Sequence, residues 1–213
     1  MTIGGALAKL RYYLNESAAG FWSDFQLYSY LDSAQMIIMK HYVNTVRFKR
    51  LAGDTYYHDP LLEKMIKLDP TNTTTVGASE QEYSLPSDFL YTDYAEYDAS
   101  GSVNRKPAIY LNYNDIKARA VNTYAQFKAD KPSYYIRNFK IGFFPQPSGS
   151  GADAFRHYYY KRPLVASGTN SASNIDLDEE LHEEIVLIAY SLAVIQDNRI
   201  DETMAIKNLT DIK

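Results

Sequence analysis

Apolar residues recur at helical spacing near both ends of the chain and at strand spacing through its middle. Leu7, Leu10, Tyr13 and Leu14 fall every three or four positions, which predicts an opening helix over 3–14 that ends before Ala18-Ala19-Gly20. Ser23 or Asp24 can cap a second helix over 24–48, its apolar side carried by Phe25, Tyr28, Leu31, Met36, Met39, Tyr42, Val43 and Val46. A third helix, 59–68, is signalled by Asp59 as cap and Pro60 at the first helical position, followed by Leu61, Leu62, Met65, Ile66 and Leu68, with Asp69-Pro70 as its stop.

The polar stretch Thr71 to Glu80 has no periodicity and reads as a loop. Beyond it the segments are short and rich in tyrosine. Alternation predicts strands at 82–85, 89–97, 108–111, 134–144 and 155–161, separated by the turn residues of Asp98 to Ser102 and Pro145 to Gly151. A helix over 113–124, capped by Asn114 or Asp115, interrupts them. The last strong helix spans 178–197: Asp176 or Asp178 opens it, Glu179, Glu180, Glu183 and Glu184 suit the positive end of its dipole, and Leu181, Ile185, Ile188, Leu192 and Ile195 form its core face. The fold class is therefore α+β, mainly a helical bundle of about four to five helices with an inserted tyrosine-rich antiparallel β region. Residues 1–198 read as a single domain. The tail 199–213 keeps Ile200, Met204, Ile206, Leu209 and Ile212 with no assigned place in that domain, and together with Arg199 these residues form a candidate interaction arm.

Composition narrows the function. A chain of 213 residues that is 46% hydrophobic can bury one substantial core. A net charge of −4 argues against tight binding to nucleic-acid backbone, which needs Lys and Arg gathered on one face. Cysteine is absent, so neither a disulfide framework nor a thiolate metal site is expected. Lys9 and Arg11 lie within and after the first apolar stretch, the wrong order for a secretory signal. The longest apolar run, Ile185 to Ile195, is broken by Tyr190 and Ser191 and is much shorter than the roughly 20 residues of a membrane span.

Chemistry is scarce. No Gly-x-Ser-x-Gly and no Walker-type loop occurs, and Gly149-Ser150-Gly151 sits between prolines and a strand, as a hairpin loop does. Of four histidines only His182 has acidic company, in Asp178 four residues earlier, and two ligands do not make a metal site. His157, between Arg156 and Tyr158, reads as a half-exposed ladder residue. Arg47, Lys49 and Arg50 suit the carbonyl end of the long helix. Catalytic, cofactor and metal sites are accordingly assigned to no residue. The adjacent tyrosines, Tyr12-Tyr13, Tyr56-Tyr57, Tyr134-Tyr135 and Tyr158-Tyr159-Tyr160, are expected on strands to bury one ring and present the next, an arrangement suited to packed interfaces; stacking against sugars is the rival use.

Several short segments, in order, resemble the head-to-tail adaptor proteins of tailed bacteriophages, also described as neck, head-completion or portal-adaptor proteins. They are Leu10, Arg11 and Leu14 in the opening helix; Trp22-Ser23-Asp24 before the long one; Tyr83, Leu85, Pro86, Asp88 and Phe89; Ile141 to Pro147; Tyr160 to Pro163; and the acidic helix from Asp178 to Asp197. The resemblance covers residues 7–198; the loop at 71–80 and the tail after Asn198 are not fixed parts of the pattern. It implies a non-enzymatic virion protein of the head-tail neck, made in the host cytoplasm. Its implied partners are the portal protein, the tail or further neck proteins, and copies of itself in a ring, typically twelve-fold, through which DNA passes without specific binding. A sugar-binding β-module of a tail fibre, or another neck protein such as a stopper or tail terminator, is the alternative.

Overall fold

The computed structural model of the chain describes residues 1–16, 20–54, 57–69, 82–98, 100, 104–121, 131–145, 155–163 and 172–196. Contacts divide the chain into two compact units, one formed by Met1–Met65 with Arg162–Lys213 and one by Ile66–Lys161. The α+β class holds: four α-helices, two short 3₁₀ helices and eight strands are present among the described residues.

The first unit packs α1 (Ile3–Tyr13), α2 (Asp24–Leu51) and α4 (His182–Gln196) against one another. Each start has a local cause. The Thr2 side chain accepts from the Gly5 amide, and at α2 the Ser23 hydroxyl and the Gln26 side chain cap each other's backbone, satisfying donors the helix leaves over. The buried side of α2 is Leu27, Leu31, Ala34, Gln35, Ile38, Met39, Val43 and Val46, so the apolar face is rotated from the one expected and Phe25 stands in solvent. Trp22, one residue before the cap, takes the interior place instead and meets Tyr30 edge-on at 5.6 Å.

The predicted helix 59–68 is corrected. Asp59 does cap a turn, its carboxylate accepting from the Leu61 amide, but the turn is a 3₁₀ helix, Pro60–Met65, and Ile66–Leu68 leaves it as strand β1. Those residues pair with Tyr158–Tyr160, and a ladder with a distant strand outweighs a weak helical preference.

The second unit is two four-stranded sheets. One has the order β1, β8 (Phe155–Lys161), β3 (Phe89–Tyr97), β4 (Lys106–Pro107); the other has β2 (Glu82–Ser84), β7 (Lys140–Phe144), β6 (Ser133–Arg137), β5 (Ile109–Tyr110). The chain crosses from one sheet to the other in a few residues: the Ala108 amide bonds the Ala95 carbonyl, and the Ile109 amide bonds the Pro132 carbonyl. β5 runs parallel to β6, so the region is mixed and not wholly antiparallel. The single strand expected at 134–144 is a hairpin that turns at Asn138 and Phe139, both with positive φ. Rings from both sheets fill the core between them: Phe143 stacks on Tyr97 at 4.8 Å and packs on Phe155 at 5.0 Å, while Tyr83 lies 4.8 Å from Phe155.

Both Tyr134 and Tyr135 are buried, against the expectation that one would be shown. Tyr134 enters the inter-sheet core; Tyr135, on the opposite face, is covered by Tyr113 of α3 (Tyr113–Val121) and by Phe144, and donates to Glu82 at 2.6 Å. The helical part is thus a three-helix unit with α3 belonging to the β unit, so the bundle is a looser description of the whole than the α+β class.

Candidate functional site

At the junction of α1 and α2 the two sequence segments Leu-Arg-x-x-Leu and Trp-Ser-Asp meet. Arg11 is buried, and its guanidinium donates to Glu16 at 3.2 Å, to Asp24 at 2.5 Å and to the Trp22 carbonyl at 3.1 Å. The second Glu16 oxygen accepts the Phe21 and Trp22 amides. One fork-shaped cation and one carboxylate therefore hold the interhelix connection, an arrangement that a point-charge ammonium could not reproduce. An open groove beside it is lined by Ala8, Arg11, Tyr12, Asn15 and Glu16. Tyr12, Phe21 and Phe25 are exposed at the same junction.

His157 departs from expectation most clearly. It is 0% exposed, with Nδ1 3.1 Å from Asp69 and Nε2 3.0 Å from the Thr92 hydroxyl. A carboxylate only accepts, so Nδ1 carries a proton. The order hydroxyl, imidazole, carboxylate matches a nucleophile relay, but Thr92 is 3% exposed and Asp69 0%, which leaves no room for a substrate carbonyl beside the hydroxyl. The three groups instead tie β1, β8 and β3 together from inside. Beside them Tyr159 donates to Asp88 at 2.7 Å and Lys67 reaches the other Asp88 oxygen at 2.8 Å. Burial works to raise the Asp88 carboxyl, but these two donors outweigh it and hold it below its ordinary value; burial and the bond to Asp88 push the Tyr159 phenol up.

His182 and Asp178 do not converge. Asp178 caps the 3₁₀ turn Glu179–Leu181 and pairs with Lys64 at 2.8 Å. His182 accepts from the Met1 ammonium at 2.9 Å and donates to the Leu177 carbonyl at 3.0 Å. No group of three or more metal-ligating side chains occurs among the described residues.

The basic end of α2 does what the dipole argument asks and more. Arg50 donates to the Tyr57 carbonyl at 2.9 Å and the Lys49 ammonium lies 3.9 Å above the Tyr57 ring. Phe48 and Leu51 stand out beside them in water, which sequence reading missed because it gave the apolar residues of this helix one face. Among the described residues the exposed tyrosines each lie beside a second ring. Tyr12 packs on Tyr13, Tyr94 on Tyr158 and Tyr110 on Tyr134. Arg199, Ile200, Met204, Ile206, Leu209 and Ile212 lie outside the described residues, as does Gly149-Ser150-Gly151. No helix of the described residues is long and apolar enough to cross a membrane.

Among the described residues, large apolar side chains held at the surface, Tyr12, Phe21, Phe25, Phe48 and Leu51, suit a protein that works through contact with other proteins. The chain belongs to the SU10 adaptor protein family, whose model matches residues 1–207, in agreement with a phage head-to-tail adaptor. The match extends past both ends of the resemblance read from sequence and takes in Arg199, Ile200, Met204 and Ile206 of the tail. A comparison with curated proteins finds none that matches.

Proposed function

We propose that this adaptor assembles as a ring beneath the portal of the virion, extends the DNA channel and presents a docking surface to the tail, with residues 1–198 as the ring-forming part and 199–213 as the arm that engages the portal. The observation that carries the reading is the family match over nearly the whole chain. Three physical features support it. Net charge of −4 suits a conduit, because a strongly basic lumen would retain DNA through phosphate contacts. Exposed apolar side chains on more than one element suit the two different patches that each ring subunit must offer. The tail alternates apolar Ile200, Met204, Ile206, Leu209 and Ile212 with charge, as a segment that docks into a groove or adds to a sheet edge does. An adaptor of this family is a structural component and not an enzyme.

The test is to mix the full chain with the cognate portal and image the product by electron microscopy. A ring seated on the portal, lost when residues 199–213 are deleted, is the expected result. A chain that neither binds the portal nor self-associates on it overturns the reading.

A further inference from the structure

The helical unit carries two exposed faces of opposite charge. On α2, the side turned away from its buried stripe shows Phe25, Ile37, Lys40, Phe48 and Leu51 at helical spacing, with Phe25 72%, Phe48 72% and Leu51 80% exposed. From Ser33 to Gly53 this helix and its cap contain four basic residues and no acidic one. The acidic face is at α4 and the turn before it, where six carboxylates fall between Asp176 and Glu184 and no Lys or Arg occurs from Leu164 to Asn198. Glu179 and Glu180 are exposed there, and Leu187, one helix face onward, is 44% exposed. Lys9 and Lys64 already pair with Glu183 and Asp178, and Glu179 and Glu180 extend beyond those pairs.

The placement of the faces follows from packing. Because α4 sits on the buried stripe of α2, their outer faces lie on opposite sides of the pair. α4 runs antiparallel to α2: Tyr30 bonds Gln196 at 2.8 Å, while Tyr42 lies in the field of Glu184 and Glu180. The acidic turn is therefore level with the basic half of α2. A rotation about an axis along α2 brings one face of a subunit against the other face of the next with no change of height, which is what closing a ring requires. At 28 residues α2 is a rod about 42 Å long, enough to support a contact of the roughly 800 Å² per partner typical of specific interfaces.

We infer that the outer face of α2 docks on the acidic face of α4 in a second copy of this chain, Lys40 and Arg47, which are seven residues apart on that face, meeting Glu179 and Glu180 around an apolar contact made by Phe48, Leu51 and Leu187. The inference rests on the ring reading and names its interface. The test uses full-length chain, alone and on the cognate portal, with equal parts of unlabelled and ¹⁵N-labelled protein. A carbodiimide that joins carboxylate directly to amine is expected to link Lys40 of one copy to Glu179 or Glu180 of another. Lys40→Glu with Arg47→Glu, and separately Glu179→Lys with Glu180→Lys, each raise the concentration for half-assembly about tenfold or more. An equal mixture of the two variants restores assembly, because each then offers the face the other needs; this also shows that both are folded. Rings that form unchanged in both variants without these cross-links overturn the interface and leave the ring standing. A wild-type chain that forms no oligomer, alone or on the portal, overturns the ring reading and the interface with it.

Discussion

Arg11 shows how one side chain can set the geometry of a junction. Three of its acceptors are a loop carboxylate, a helix N-terminal carboxylate and a backbone carbonyl, and Glu16 spends its other oxygen on two amides. Arg11→Ala leaves the largely covered Glu16 without its cation and is expected to lower stability by about 2–3 kcal/mol. Arg11→Lys should recover only part, since an ammonium cannot span the fork. Trp22 is the single tryptophan and is buried at this junction, so urea unfolding followed by its fluorescence reads the effect directly; a loss under 0.5 kcal/mol, the range of ordinary surface changes, would show that the fork is dispensable. The motifs Leu-Arg-x-x-Leu and Trp-Ser-Asp were legible as separate segments. That the arginine of one grips the aspartate of the other was not, because no local window contains both.

At the scale of elements, the β6–β7 hairpin depends on the absence of a side chain. Tyr135 and Gly142 are directly opposed, and a Cβ at Gly142 would overlap the Tyr135 ring, whose hydroxyl is anchored on Glu82. Gly142→Ala is expected to destabilise the unit by about 1–3 kcal/mol through overpacking. Pairing it with Tyr135→Leu should recover part of the loss, and calorimetric melting of the single and double variants checks the coupling. Strands β3 and β8 appear with the bounds that alternation predicts, and Asp178 caps the acidic 3₁₀ turn that leads into α4. The segment 59–68 was misread because its caps and its first two apolar residues are helical signals, whereas its last three residues are claimed by β8.

For the whole molecule, the two units should respond to acid in different ranges. Burial, reinforced by the Met1 ammonium, holds His182 below the ordinary 6.5, against the pull of the Leu177 carbonyl, Glu179 and Asp178. The unfolded chain then takes up this proton first, so the contribution of His182 is complete above pH 6.5 and is lost as pH falls through its folded value. In the β unit Asp88 sits below 3.8, and its contribution survives until pH falls beneath that value. Urea unfolding from pH 7.5 to pH 3, read by Trp22 fluorescence for the helical unit and by near-ultraviolet tyrosine signals, is expected to show the helical unit weakening first. His182→Gln should flatten its dependence below about pH 6.5; an unchanged slope would assign that dependence to other groups.

The sequence by itself determined the α+β class, the extents of α1, α2, β3 and β8, and the family, and narrowed two caps to Ser23 or Asp24 and Asp176 or Asp178, because periodicity, capping and segment order are properties of neighbouring residues. Only the tertiary structure decided that Ile66–Leu68 is a strand, that His157 is enclosed by Asp69 and Thr92, that both Tyr134 and Tyr135 are covered, and that Phe25, Phe48 and Leu51 are left in water. Each of these depends on what stands opposite a residue in space. For these positions the opposing group comes from a distant part of the chain, and a local pattern carries no record of it.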